Sequence, residues 1–366
     1  MRNRWFCGVL VSLGLCVACG GSSDADPAGS GGASAGAGGQ SGGAGTGGLG
    51  GSAGSAGAGG QGGSPVAFGS CADTPPPGAE KPAPLPTYAG TCPTLVAGDN
   101  TITTQGGSRG FRLALPTDIK PGENLPVIFL WHWLGGDAKD FYELGEVQKA
   151  VDSQRFIGVL PEKKGDTLFT WPMEVVSSQA RVDEELQFFD DMLACVGAQF
   201  SVNENCVSSA GVSAGALWTG QLAIERGKHL SSFISLSGGT GGVIRPWKSS
   251  EHAMPALVLW GGPTDNCAGL LQFESTSKSL EDGLEKDGHF FIECVHNCGH
   301  SQPPFDGSLS TYSGLWQFVL DHPYWLKDGT SPYSQSGLPS DMPAWCGIGK
   351  GSATMRTGVC DNPSQC

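Results

Sequence analysis

After Arg4 this chain has no cluster of lysines or arginines, and its 35 acidic against 21 basic residues leave a formal charge of −14. Nucleic-acid binding needs basic side chains that displace counterions from phosphates, so no nucleic-acid partner is expected. A membrane span is lacking at the N-terminus as well. The apolar run at residues 5–18 is too short for one, and with Arg2 and Arg4 before it the stretch has the form of a signal peptide. Residues 20–65 lack nearly all large apolar side chains. They are almost entirely Gly, Ala and Ser, with Asp24 and Asp26 the only charges. Such a composition cannot bury enough surface to offset chain entropy, which predicts a disordered tether about 40 Å from end to end. The segment at 238–254, between two expected strands, is too short for a helical lid. That argues against an interfacially activated lipase.

Cysteine, by contrast, is abundant. Thirteen are present, of which Cys7, Cys16 and Cys19 fall in the export segment. The even set that follows (Cys71, Cys92, Cys195, Cys206, Cys267, Cys294, Cys298, Cys346, Cys360 and Cys366) reads as disulfides in an oxidising compartment, with about 945 conceivable pairings. The end of the export segment, Leu15-Cys16-Val17-Ala18-Cys19-Gly20, resembles a bacterial lipobox. That resemblance implies lipidation of Cys19, a membrane anchor and an outer-membrane or cell-surface location, with ordinary secretion as the alternative.

The centre of the chain is Gly211-Val212-Ser213-Ala214-Gly215, a Gly-x-Ser-x-Gly motif. A short strand-like stretch precedes it and a helical pattern follows. A strand turning sharply into a helix is the setting of a nucleophile elbow, where a serine hydroxyl is held exposed on a strained turn. Glycines on both sides leave room for that turn. The helix start also directs the Ala214 N–H and the positive end of the dipole at the site, as an oxyanion requires.

Around this motif, apolar runs at 125–131, 156–161, 233–236, 256–260 and 290–294 have the character of strands buried on both faces. Helical patterns at 141–153, 182–200 and 312–321 alternate with them, and a hairpin is expected between 101–104 and 110–116. The alternation predicts an α/β fold, a doubly wound, mostly parallel sheet with helices on both faces. The expected organisation is a signal peptide (1–19), a linker (20–79), one domain (80–330) and a Cys-rich tail (331–366).

Active groups in such sheets gather at the carboxyl ends of strands. Ser213, Asp265 and His300 fall there in that chain order, as nucleophile, orienting acid and base. Asp306 is a reserve acid, His296 a competing base and His132 a structural residue beside the oxyanion turn. If the loops of Asp265 and His300 meet, a Cys267–Cys298 disulfide is expected to hold them in register, with Cys195–Cys206 as a second pair. The cluster from Cys294 to His300 suits disulfides better than a metal, because a straight strand cannot wrap a tetrahedral ion. No metal or cofactor is expected. Trp133, Trp171 and Trp247 lie on loops, and Trp171 and Trp247 are expected to line the cleft and stack on an aryl group or a sugar.

Several segments, taken in order, resemble the secreted esterase family of polyhydroxybutyrate depolymerases, feruloyl esterases and acetylxylan esterases. They are Arg112-Leu113-Ala114-Leu115-Pro116, the strand into His132, Val159-Leu160-Pro161-Glu162, Thr170-Trp171, the elbow, residues 262–265 and Gly299-His300. The resemblance spans about residues 100–320. It implies an α/β-hydrolase fold and a serine-dependent attack on a carboxylic ester, by an expected monomer. The family has His-Gly where this chain has His132-Trp133, so the second oxyanion donor is expected from the Trp133 or Leu134 N–H. Losing one such donor costs about 10²- to 10³-fold in rate. A binding protein on a degenerate hydrolase fold is therefore the rival expectation.

Overall fold

Seven residues in a row, Leu125–Trp131, are buried without exception. A run this short and this fully buried suits a central strand covered on both faces. In the computed structural model of the protein, which describes residues 69–242 and 244–360, that strand is β3 of a nine-stranded sheet. The expected signal peptide, Cys19, the glycine-rich stretch to residue 68, and Cys366 lie outside the described residues.

In chain order the elements are β1 (Gly98–Thr104), β2 (Gly107–Ala114), β3, α1 (Ala138–Leu144), α2 (Val147–Gln154), β4 (Ile157–Pro161), α3 (Gln179–Gln199), β5 (Val202–Val212), α4 (Ala214–Arg226), β6 (Ser232–Leu236), β7 (Ala256–Trp260), the short pair β8 (Asn266–Cys267) and β9 (Leu271–Gln272), α5 (Phe273–Lys286), β10 (Phe291–Val295), α6 (Ser313–Leu320), α7 (Tyr333–Ser336) and β11 (Cys346–Ile348). The large sheet runs β1-β2-β4-β3-β5-β6-β7-β10-β11. From β4 to β10 every pairing is parallel, whereas β1–β2, β2–β4 and β10–β11 are antiparallel.

The period-two alternation of β3 builds two cores. Val127, Phe129 and Trp131 face one layer with α3, α4 and α5, including Phe189, Trp218 and Leu280. Ile128 and Leu130 face the other with α1, α2 and α6, including Phe141, Val151 and Trp316. The sheet is thus sandwiched between helices, as the sequence predicts. Strand order reverses at β3, with β4 on one side and β5 on the other, so the crevice beyond their carboxyl ends is where such folds bind ligands.

The sequence-based disulfide pairings are corrected. Among the described residues the bridges are Cys71–Cys206, Cys92–Cys195, Cys294–Cys346 and Cys298–Cys360. Cys195 and Cys206 therefore do not pair with each other. Each holds a different part of the lead-in, which lacks helix or strand until β1 and is anchored by these bonds. Cys267 is disulfide-bonded, but not to Cys298. For Cys195 and Cys206 proximity in sequence misleads, because loop-closure entropy grows only slowly with loop length and penalises distant pairs little. With Cys294 and Cys298 both oxidised, neither offers a thiolate to a metal. Disulfides persist in oxidising compartments, and these four fit an exported protein.

The segment beyond 330 adds to the domain. Its strand β11 pairs with β10, and its continuation returns over the loop that follows β10. There Arg356 N–H donates to Val295 O at 2.9 Å and Asn297 Nδ2 to Gly358 O at 2.8 Å. The strap therefore braces the loop that carries His300.

Candidate active site

Strand β5 ends at Val212 and α4 starts at Ala214, leaving Ser213 as the single residue of the turn. Its backbone stands at φ 55°, ψ −119°, a conformation costing an L-residue about 1–3 kcal/mol. The surroundings over-determine it. A Cβ on Gly211 would lie 2.2 Å from Gly215 O, and one on Gly215 would lie 2.0 Å from Trp131 O. Strand, turn, helix and β3 are in backbone contact at these points, which only glycine permits. Ser213 N–H donates to Leu236 O at 2.8 Å, fastening the turn to β6.

The side chains of Ser213, His300 and Asp265 converge. Ser213 Oγ lies 2.9 Å from His300 Nε2, and His300 Nδ1 lies 2.7 Å from Asp265 Oδ1. An ionised carboxylate only accepts, so Nδ1 carries the proton and Nε2 is left to accept from the serine hydroxyl. Asp265 is fully buried. Its second oxygen, Oδ2, accepts from Gly261 N–H and from Ser237 Oγ, both at 2.7 Å. The His300 ring lies on Phe273 with centroids 4.4 Å apart and planes 12° from parallel.

The expected bond between the acid and base loops is replaced by backbone contact. Gly299 N–H donates to Gly261 O at 3.0 Å. A Cβ on Gly261 would sit 1.9 Å from Gly299 O, so the two loops cross as closely as chains can.

His296 does not compete for the serine. It is wholly buried, its Nδ1 accepts from Cys298 N–H at 3.2 Å, and burial pushes its pKa down to about 4. Asp306 is exposed and takes no part in this hydrogen-bond chain. His132 is also fully buried, with its Nδ1 2.9 Å from Trp133 O and its pKa pushed down to about 4 by desolvation.

Ala214 N–H stands at the start of α4, where no carbonyl of the helix can reach it. On the β3 side the backbone of Trp131 and His132 lies against Gly215, whose Cβ would be 2.7 Å from His132 O. The chain then enters a turn closed by Gly136 N–H to Trp133 O at 3.1 Å, with Gly135 at φ 82°. A type II turn requires that sign of φ at its third residue, which the glycine supplies. Trp133 and Leu134 thus occupy the turn adjoining the elbow. Leu134 is exposed, and the Trp133 ring packs on Phe141.

The two tryptophans expected to line the cleft do not. Trp171 is 0% exposed; its Nε1 donates to His132 O at 2.8 Å and its ring meets Trp131 edge-on at 5.0 Å. It props the turn from below, because the indole N–H is satisfied only by that buried carbonyl. Trp247 donates to Asp287 Oδ2 at 2.6 Å and packs against His289. Both partners lie at the end of α5 and just before β10, at the amino ends of the parallel strands, whereas Ser213 stands at the carboxyl end of β5.

Sequence reasoning missed Ser237 and Phe273. Ser237 directly follows β6, so its place at a strand's carboxyl end was the available signal. Phe273 carried none beyond being apolar.

No known family profile matches the chain. Feruloyl esterase D of Neurospora crassa is 28% identical over 150 residues, which are 40% of this chain and 51% of that protein. The chain therefore spans about half the length of the curated relative it matches. Among solved structures, native sOPH is similar with a TM-score of 0.54 and 16% identity, covering 72% of this chain and 97% of the other. Native pOPH gives 0.55 and 14%, covering 73% and 98%. At such identities the likeness is one of fold. Together with the strand order it is the α/β-hydrolase fold.

Proposed function

We propose that this chain is an exported serine esterase. The observation that carries the reading is the unbroken hydrogen-bond chain from Ser213 Oγ through His300 to a buried carboxylate, at 2.9 and 2.7 Å. Ser213 attacks the carbonyl carbon of a carboxylic ester while His300 Nε2 takes its proton. The tetrahedral oxyanion is held by Ala214 N–H and by the Trp133 or Leu134 N–H. Collapse breaks the ester C–O bond, and His300 returns the proton to the departing alcohol. Water then enters by the same route in reverse roles and frees the acid from Ser213. Asp265 keeps the imidazole in the required tautomer and balances its charge in both steps. The substrate is a polyester or an aryl or acetyl ester of a polysaccharide, and the likeness to Feruloyl esterase D favours the aryl ester. The reading requires no cofactor.

The test is turnover by the purified protein of 4-nitrophenyl acetate and butyrate, methyl ferulate, acetylated xylan and hydroxybutyrate oligomers, with a fluorophosphonate probe alongside. Hydrolysis and labelling of Ser213 are expected. A protein inert to every ester and to the probe is instead a binding protein on a hydrolase fold.

Tethering of the enzyme through Cys19 is part of the same proposal, supported by Ala18-Cys19 behind the apolar run. Mass spectrometry of the membrane-extracted N-terminus should find acyl mass on Cys19. A freely soluble protein starting beyond residue 19 without it refutes the anchor.

A further inference from the structure

The end of β6 touches both halves of the candidate triad. Leu236 O receives the N–H of Ser213 at 2.8 Å, and the next residue, Ser237, donates its hydroxyl to Asp265 Oδ2 at 2.7 Å. Ser237 is buried and stands at φ 50°, where glycine would sit without strain. Its own N–H is fixed to Leu259 O at 2.7 Å. The chain then passes so close to the elbow helix that a Cβ on Gly238 would lie 2.4 Å from that of Ala216. A serine in a glycine's conformation, followed by two glycines, marks a position that keeps its hydroxyl at the expense of backbone strain.

We propose that Ser237 is a positioning residue for the esterase reaction: with Gly261 N–H it locks the Asp265 carboxylate so that Oδ1 alone faces His300. The inference rests on the catalytic reading above. Rotation about the Cβ–Cγ bond of Asp265 would exchange its two oxygens and misalign Nδ1. Two donors on Oδ2, at 2.7 Å each, oppose that rotation. They also spread the charge of a carboxylate that is fully buried and must stay ionised when His300 becomes a cation.

The test is Ser237→Gly, which removes the hydroxyl and relieves the positive φ, with Ser237→Ala as the second variant. The readouts are kcat and KM for 4-nitrophenyl butyrate, the second-order rate of fluorophosphonate labelling, and Tm. For Ser237→Gly, kcat and the labelling rate should fall together by about tenfold to a hundredfold, the range for losing a hydrogen bond to a charged group. KM should change less than twofold and Tm should not fall. In an Asp265→Asn background the same substitution should add less than twofold, because the hydroxyl acts through that carboxylate. A folded Ser237→Gly or Ser237→Ala protein with wild-type kcat and labelling rate overturns the proposal, as does a full additive loss in the Asp265→Asn background. If the wild type itself neither turns over esters nor labels, the catalytic reading falls first and this inference with it.

Discussion

Ser213→Ala is expected to lower kcat for 4-nitrophenyl butyrate by about 10⁴- to 10⁶-fold, and His300→Ala by a similar factor. The factor is large because the residues act as one unit. Without Oγ there is no bond to form with the acyl carbon, and without the imidazole the hydroxyl keeps its proton at the moment of attack. What survives is the oxyanion site and substrate binding, which alone leave only a small residual rate. KM should move little, since Oγ counts mainly in the transition state. The double variant should be scarcely worse than either single one. Ser213→Ala should also leave the fold intact, because alanine bears the φ of 55° about as well as serine does. Steady-state kinetics on variants with unchanged circular dichroism decide the matter. Retention of more than a hundredth of wild-type kcat by Ser213→Ala would end the mechanism.

The second large effect is loss of stability in acid. Burial holds His132, His296 and His322 neutral, with pKa values pushed down to about 4. His229, His252 and His289 shift in the same direction for the same reason. In the unfolded chain each ring accepts a proton near pH 6.5. Between about pH 6.5 and 4 the unfolded state therefore binds more protons, and the stability these rings contribute above pH 6.5 is lost as pH falls. Each fully displaced ring costs about 1.4 kcal/mol per pH unit. Glu281 opposes them. Burial, with the charge of Glu293 adding to it, raises its carboxyl to about 8, so the native state keeps a proton that the unfolded state gives up above about pH 4.5. Asp140, Glu162, Asp191 and Asp321, whose carboxyls burial also raises, oppose them in the same sense, but the six rings outnumber these five carboxyls and leave a net loss of stability as pH falls from 6.5 to 4.5. Urea midpoints measured over that range should fall. A flat or rising midpoint would mean that these histidines take up protons without unfolding.

Some of this molecule could be read directly from the chain. The apolar runs, short and rich in Val, Ile, Leu and Phe, read as central strands, and their alternation with helices set a parallel sheet. The elbow was legible because its requirements are local: Gly211 and Gly215 are needed within two residues of Ser213. Strand ends then named Asp265 and His300 as candidates.

Other features follow from contacts between distant segments. His296 and His300 share one loop, and only the packing shows that the first is sealed beneath it while the second reaches Ser213. Trp171 and Trp247 sit on loops that a sequence cannot orient; one props the turn from below and the other lies at the amino ends of the strands, away from Ser213. The four bridges among the described residues span 52 to 135 residues, where sequence proximity carries no information. Ser237 belongs to no motif, and its hydrogen bond to Asp265 arises from the approach of β6 to a carboxylate 28 residues further on. Periodicity and the turn were determined by the sequence because they depend on neighbours along the chain. Which histidine meets Ser213, which cysteines pair and which hydroxyl meets Asp265 was decided by tertiary structure, because each depends on a neighbour brought close by the closing of the sheet.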